Sequence, residues 1–119
     1  IMPHIPDKWY AFVLAKTYYK KVMEAGVKIY EYTPGFIHAK TYLVDDKYAM
    51  IGTINLDYRS LVHHFENGVW MYNSDIIKDL KVDFEDTLNK SLFISNLFST
   101  SKAITYRQNI SYIYVRNQR

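Results

Sequence analysis

An imidazole, an ammonium, a hydroxyl and a carboxamide stand at fixed offsets in one stretch of this chain. It reads His38-Ala39-Lys40-Thr41-Tyr42-Leu43-Val44-Asp45 and, after six further residues, Gly52-Thr53-Ile54-Asn55. Together these groups suit a phosphoryl centre. Lys40 and Asn55 can donate to non-bridging oxygens as charge develops, Thr53 adds a hydroxyl, and the His38 imidazole can attack phosphorus or carry a proton. The cluster holds a single histidine and no acidic co-ligand beside it, so this chemistry is expected to run with no metal and no cofactor.

The elements that must position these groups follow from local pattern. Lys40 to Val44 is a β-branched and aromatic run ending in the turn-prone Asp45-Asp46-Lys47, which predicts a strand entering a hairpin. Side chains two apart on a strand share a face, so His38 and Lys40 are expected to point the same way. Asp45 lies at an odd offset from His38 and where the strand turns, so it is expected to serve the motif indirectly, as a buried hydrogen-bonding partner. Tyr48 to Ile51 returns as the second strand, and Gly52 permits a close approach that a Cβ would block. That return brings Thr53 and Asn55 beside His38.

The pattern H-x-K-x4-D followed by G-T-x-N resembles the HKD motif of the phospholipase D superfamily. The wider runs Gly35-Phe36-Ile37-His38-Ala39-Lys40 and Gly52-Thr53-Ile54-Asn55-Leu56-Asp57-Tyr58-Arg59-Ser60 are similar to the bacterial cardiolipin synthase family. Glu24 to Tyr32 is similar to the segment leading into the second of that family's two HKD motifs, and Glu66 is placed like the acidic residue that follows the motif. The resemblance runs from Ile1 to about Ser91. It implies an α/β fold, a mixed β-sheet flanked by helices, forming one half of a phospholipase D-like two-domain fold. It implies a site shared between two motifs: one histidine forms a phosphohistidine, and the other protonates the leaving alcohol and deprotonates the incoming one. If His38 belongs to the C-terminal motif it is expected to be the acid/base partner, although the nucleophile's role stays open to it.

On this reading the catalytic residues are His38, Lys40 and Asp45; Lys40, Thr53 and Asn55 bind phosphate; Gly52, Asp57, Arg59 and Glu66 support them. Glu66 is expected to orient and charge-stabilise a histidine, the one from the opposite motif. The implied reaction transfers a phosphatidyl group between two phosphatidylglycerol molecules, giving cardiolipin and glycerol. The implied partners are anionic phospholipid and the N-terminal HKD domain of the same parent chain, with a homodimer of this chain as a substitute; nucleic acid is not expected. Two alternatives remain: another phosphodiesterase of the superfamily (a phospholipase or nuclease), or a half-site that only binds phosphate or anionic lipid. The parent is expected at the bacterial cell membrane with this domain on the cytoplasmic side, and the chain alone is expected to be soluble.

Composition bounds the rest. The chain has 119 residues, 49% hydrophobic and 23% charged, enough for one globular core. A formal charge of +3 fits an anionic partner without specifying one. The absence of cysteine excludes disulfides and thiolate metal sites. No apolar run reaches membrane-spanning length. Ile1-Met2-Pro3 reads as a strand end without an initiator Met, which predicts a piece of a longer protein.

Along the chain, a helix is predicted from about Lys8 to Ala25, with Asp7 as N-cap, Gly26 past its end, and Phe12, Ala15, Tyr19, Val22 and Met23 buried. A strand follows from Val27 to Tyr32. Asn55 to Ser60 reads as a polar loop or one helical turn, in which Asp57 and Arg59 either pair or brace the pocket floor. Another strand runs from Glu66 to Tyr72. Ser74-Asp75 caps a second helix to about Asn89, with Ile76, Ile77, Leu80, Phe84 and Leu88 inward. His4, His63 and His64 have no partner pattern. The domain is set at residues 1–91, with 92–119 a tail of packed, solvated or interfacial character; no acid occurs after Asp86.

Overall fold

The computed structural model describes residues 1–95 and the strand Tyr112–Val115. Its elements run β1 Met2–Pro3, α1 Trp9–Glu24, β2 Ile29–Tyr32, β3 Thr41–Val44, β4 Tyr48–Gly52, β5 Gly68–Tyr72, α2 Ile76–Asn89, β6 Ser91–Ile94 and β7 Tyr112–Val115. The expected α/β class with mixed strand pairing is present, divided between two sheets. One is ordered β1-β2-β6, the other β5-β4-β3-β7. Each contains one parallel pair, β1 with β2 and β3 with β7. The stretch from Thr33 to Lys40, carrying Pro34 and Gly35, lies outside both sheets and takes the chain from one to the other.

Helix α1 begins one residue later than expected, and Asp7 is not its cap. Lys8 is still extended, with φ −125° and ψ 113°, and its carbonyl accepts the Phe12 N–H, so Lys8 is the N-cap and supplies no side-chain bond. At the far end Gly26 takes φ +88° and donates to the Met23 carbonyl, a left-handed stop that suits glycine. Phe12 and Tyr19 are buried as predicted; Val22 is not. In α2, Ile77 and Phe84 are buried and Ile76 faces out. Asp75 stands at the N-cap but turns its carboxylate to Lys78 Nζ, 2.8 Å away.

The core beside the motif hairpin is Leu43, Ala49 and Ile77, with Met71 and Leu80 packed against it. Leu43 is fully buried, a contribution of about 1.5–3 kcal/mol. This packing anchors β3, and with it the end of the strand at Lys40. Helix α2 packs on β2, β3 and β6, tying the two sheets together.

The boundary drawn between residues 91 and 92 falls inside β6, whose residues pair antiparallel with all of β2. β7 pairs with all of β3. Parts of the tail thus complete both sheets; its remaining positions lie outside the described residues.

Candidate functional site

The strand ladder of β3 starts at Thr41, one residue later than expected, and the pairing is extended by the Gly52 N–H donating to the Lys40 carbonyl at 3.1 Å. His38 lies before it. The two residues therefore do not project as equals from one strand face. Lys40 is buried, 4% exposed, whereas His38 is exposed. They are joined through the backbone, since Lys40 Nζ donates to the His38 carbonyl at 2.6 Å. The His38 ring stacks on Phe36, with centroids 5.8 Å apart.

Partial desolvation beside its neighbours, and then the Lys40 charge, hold the His38 imidazole below its ordinary proton affinity, with the Asp7 carboxylate opposing them. Such a ring keeps a lone pair at neutral pH, as a nucleophile or proton acceptor requires. Burial also lowers the Lys40 ammonium, and the Glu66 carboxylate pulls it back up.

The end of β4 carries the second half of the motif. A Cβ on Gly52 would sit 2.3 Å from the Asn67 carbonyl oxygen and 2.7 Å from the Gly68 Cα, so only glycine lets β4 and β5 approach here. Thr53 is pinned by this approach: its N–H donates to the Asn67 carbonyl at 2.8 Å and its hydroxyl accepts the Asn67 N–H at 3.0 Å. The same hydroxyl donates to Glu66 Oε2 at 2.6 Å. Asn55 Nδ2 donates to Ser60 Oγ at 3.3 Å, while its Oδ1 is buried without a partner. Tyr42 Oη donates to the Ile54 carbonyl at 2.9 Å and steadies the segment between Thr53 and Asn55.

The expected polar loop is a wide helical turn, Arg59–His63, closed by the His64 N–H donating to the Arg59 carbonyl five residues back. Asp57 and Arg59 serve separate ends of it. Asp57 Oδ1 accepts the Ser60 N–H at 2.7 Å, and Arg59 Nε donates to His64 Nε2 at 2.7 Å. With Nε2 accepting, the proton of neutral His64 sits on Nδ1, which faces Glu66 Oε1 at 3.6 Å. Hydrogen bonds from Thr53 and then Ser60, with a smaller contribution from His64, hold Glu66 below the usual carboxylate range. It is a fixed anion.

The structure thus gathers Lys40, Thr53, Asn55 and Glu66 around one hub, with Gly52 permitting the approach and Asp57 and Arg59 bracing it through Ser60 and His64. Asp45 is elsewhere. It is exposed in the turn at the far end of β3, with φ 52°, followed by Asp46 at 56°. At about 3.3 Å per residue that end of the strand is about 16 Å from Lys40. The expectation that Asp45 is buried is corrected; the position also asks for a residue tolerant of left-handed backbone.

Sequence reasoning missed Ser60 and His64. The i,i+5 spacing of Arg59 and His64 belongs to a π turn, which ordinary helical periodicity does not flag. Among the described residues no group of three or more His, Asp or Glu side chains is arranged to hold a metal ion, and no helix is long and apolar enough to cross a membrane.

Comparison with known proteins adds an independent line. The family described as cardiolipin synthase, PLD-like domain, matches residues 1–88. An uncharacterized protein of Streptococcus mutans is 58% identical over 91 residues, covering 76% of this chain and 20% of that protein. Cardiolipin synthase 2 of Bacillus anthracis is 44% identical over 91 residues, covering 76% of this chain and 18% of the relative. A cardiolipin synthase of Halalkalibacterium halodurans is 36% identical over 117 residues, covering 88% and 23%. The chain spans about a fifth of the length of these curated relatives. No solved structure matches it.

Proposed function

This chain belongs to the family of cardiolipin synthase PLD-like domains, and from that premise we propose that it is the C-terminal catalytic half of a phosphatidyl-transfer enzyme acting on phosphatidylglycerol. The observation that carries the reading is the convergence of Lys40, Thr53, Asn55 and Glu66 where β3, β4 and β5 meet, with Lys40 bonded to the backbone carbonyl of His38.

In the proposed reaction a histidine nitrogen bonds to phosphorus as the P–O bond to glycerol breaks, and the leaving oxygen takes a proton from the second histidine. The hydroxyl of another phosphatidylglycerol then gives its proton to that second histidine and attacks phosphorus, breaking the P–N bond and releasing cardiolipin. His38 fills the acid/base role: its protonated form supplies the proton that the departing glycerol takes, and the neutral ring left behind accepts the proton of the incoming hydroxyl. Lys40 has three donors and spends one on the His38 carbonyl, which leaves donors for phosphoryl oxygens. Asn55 supports the same charge through its amide. Glu66 keeps Thr53 and Ser60 oriented and balances the Lys40 charge.

The test is turnover by the full-length protein on phosphatidylglycerol vesicles, with cardiolipin and glycerol measured by mass. The wild type should make both in equal amounts, and His38→Ala should make neither. Phosphatidic acid as the sole lipid product would instead assign a phospholipase.

A further inference from the structure

A shallow groove of about 380 Å³ is walled by Ile5, Pro6, Asp7 and Phe36. Phe36 joins the groove to the reacting ring, since it lines the one and stacks on the other. Phe36 is 53% exposed and Asp7 is exposed, so both can meet a ligand from solution. α1 does not use the Asp7 carboxylate as its cap, because Lys8 stands at that position.

We propose that this groove is the acceptor subsite, seating the neutral polyol end of the incoming alcohol with the Asp7 carboxylate accepting hydrogen bonds from its hydroxyls. The assignment deepens the phosphatidyl-transfer reading and rests on it. The groove's chemistry selects among the parts of the substrate. A phosphate is repelled by a carboxylate carrying the same sign of charge. An acyl chain gains nothing from a carboxylate in its path, and desolvating that charge is costly. A short polyol satisfies both features, laying its carbons on Ile5, Pro6 and Phe36 and its hydroxyls on Asp7. The location agrees, because the alcohol that loses its proton to His38 must lie next to it. The Asp7 charge also favours the protonated ring that this transfer produces.

Water competes with the polyol for the phosphoryl intermediate, so the subsite governs the division between transfer and hydrolysis. The full-length enzyme on phosphatidylglycerol vesicles makes cardiolipin by transfer and phosphatidic acid by hydrolysis, and both are read in one sample. Asp7→Ala should lower the ratio of cardiolipin to phosphatidic acid about tenfold, as loss of one charge-assisted hydrogen bond implies. Total donor consumption should change much less, and Asp7→Glu should restore part of the ratio. A second arm needs no turnover: glycerol titrated into the chain should move the Ile5 methyl resonances saturably, and not in Asp7→Ala. Equal loss of both products, or an unchanged ratio, overturns the subsite while leaving phosphatidyl transfer intact. A wild type that makes neither product removes the transfer reading, and the subsite falls with it even if glycerol binds.

Discussion

At the scale of single residues, Glu66 is the hub on which Thr53, Ser60 and His64 converge. Its folded-state pKa is depressed, so its contribution to stability is full above the unfolded carboxylate value, about 4.3, and is lost as pH falls through the lower folded value. Melting temperature followed from pH 6 to about pH 2.5 should therefore fall less for Glu66→Gln than for wild type across that acid window. Parallel curves would show that the Glu66 hydrogen bonds carry no net stabilisation. Lys40 and His38 should separate in the same way as their burial. Sequence parity predicts that His38→Ala and Lys40→Ala both abolish turnover at little cost in stability, but a buried lysine stem leaves a cavity when truncated. His38→Ala should leave the melting temperature nearly unchanged while Lys40→Ala lowers it. Lys40→Met, which fills the space without the charge, should raise the His38 titration midpoint in an NMR experiment, because the Lys40 charge helps hold that midpoint down.

Among the elements, the β3–β4 hairpin sets the site at one end and its own geometry at the other. Asp45 and Asp46 both adopt left-handed backbone, which costs a residue with a Cβ about 1–2 kcal/mol, costs glycine nothing, and costs aspartate less than alanine because its short polar side chain can hydrogen-bond locally. Asp45→Gly should accordingly retain stability and activity, whereas Asp45→Ala should lose about 1 kcal/mol in chemical denaturation with its residual activity tracking the folded fraction. A large activity loss in Asp45→Gly at wild-type stability would give this aspartate a direct part in the chemistry. Gly52→Ala is the opposite case. The clash falls on backbone atoms of Asn67 and Gly68, so β4 and β5 must part, and Thr53 and Glu66 separate with them. Turnover and melting temperature should fall together.

For the whole molecule, transfer through phosphohistidine needs a nucleophile and an acid/base on opposite sides of phosphorus, and the motif here supplies one histidine. General acid–base assistance is worth about 10²–10⁴-fold, so the chain as a proven monomer should show no detectable cardiolipin formation. Light scattering and product assay on one sample decide it, and activity confined to a dimer would place two copies of His38 in one site. Because Lys40 and Asn55 supply the proposed oxyanion donors, full-length enzyme dialysed against EDTA should keep its rate; restoration of a lost rate by one specific metal would overturn that. What the sequence by itself determined was the chemistry and its nearest scaffold. Residue types at fixed offsets identify the motif, and alternation, glycine and turn residues are short-range signals that locate its hairpin and the close approach at Gly52. Only the tertiary structure decided which groups meet. Thr53 meets Glu66, Tyr42 meets the Ile54 carbonyl, and Asp7 and Phe36 wall one groove, because these contacts join segments whose separation along the chain bears no periodic relation to their distance in space.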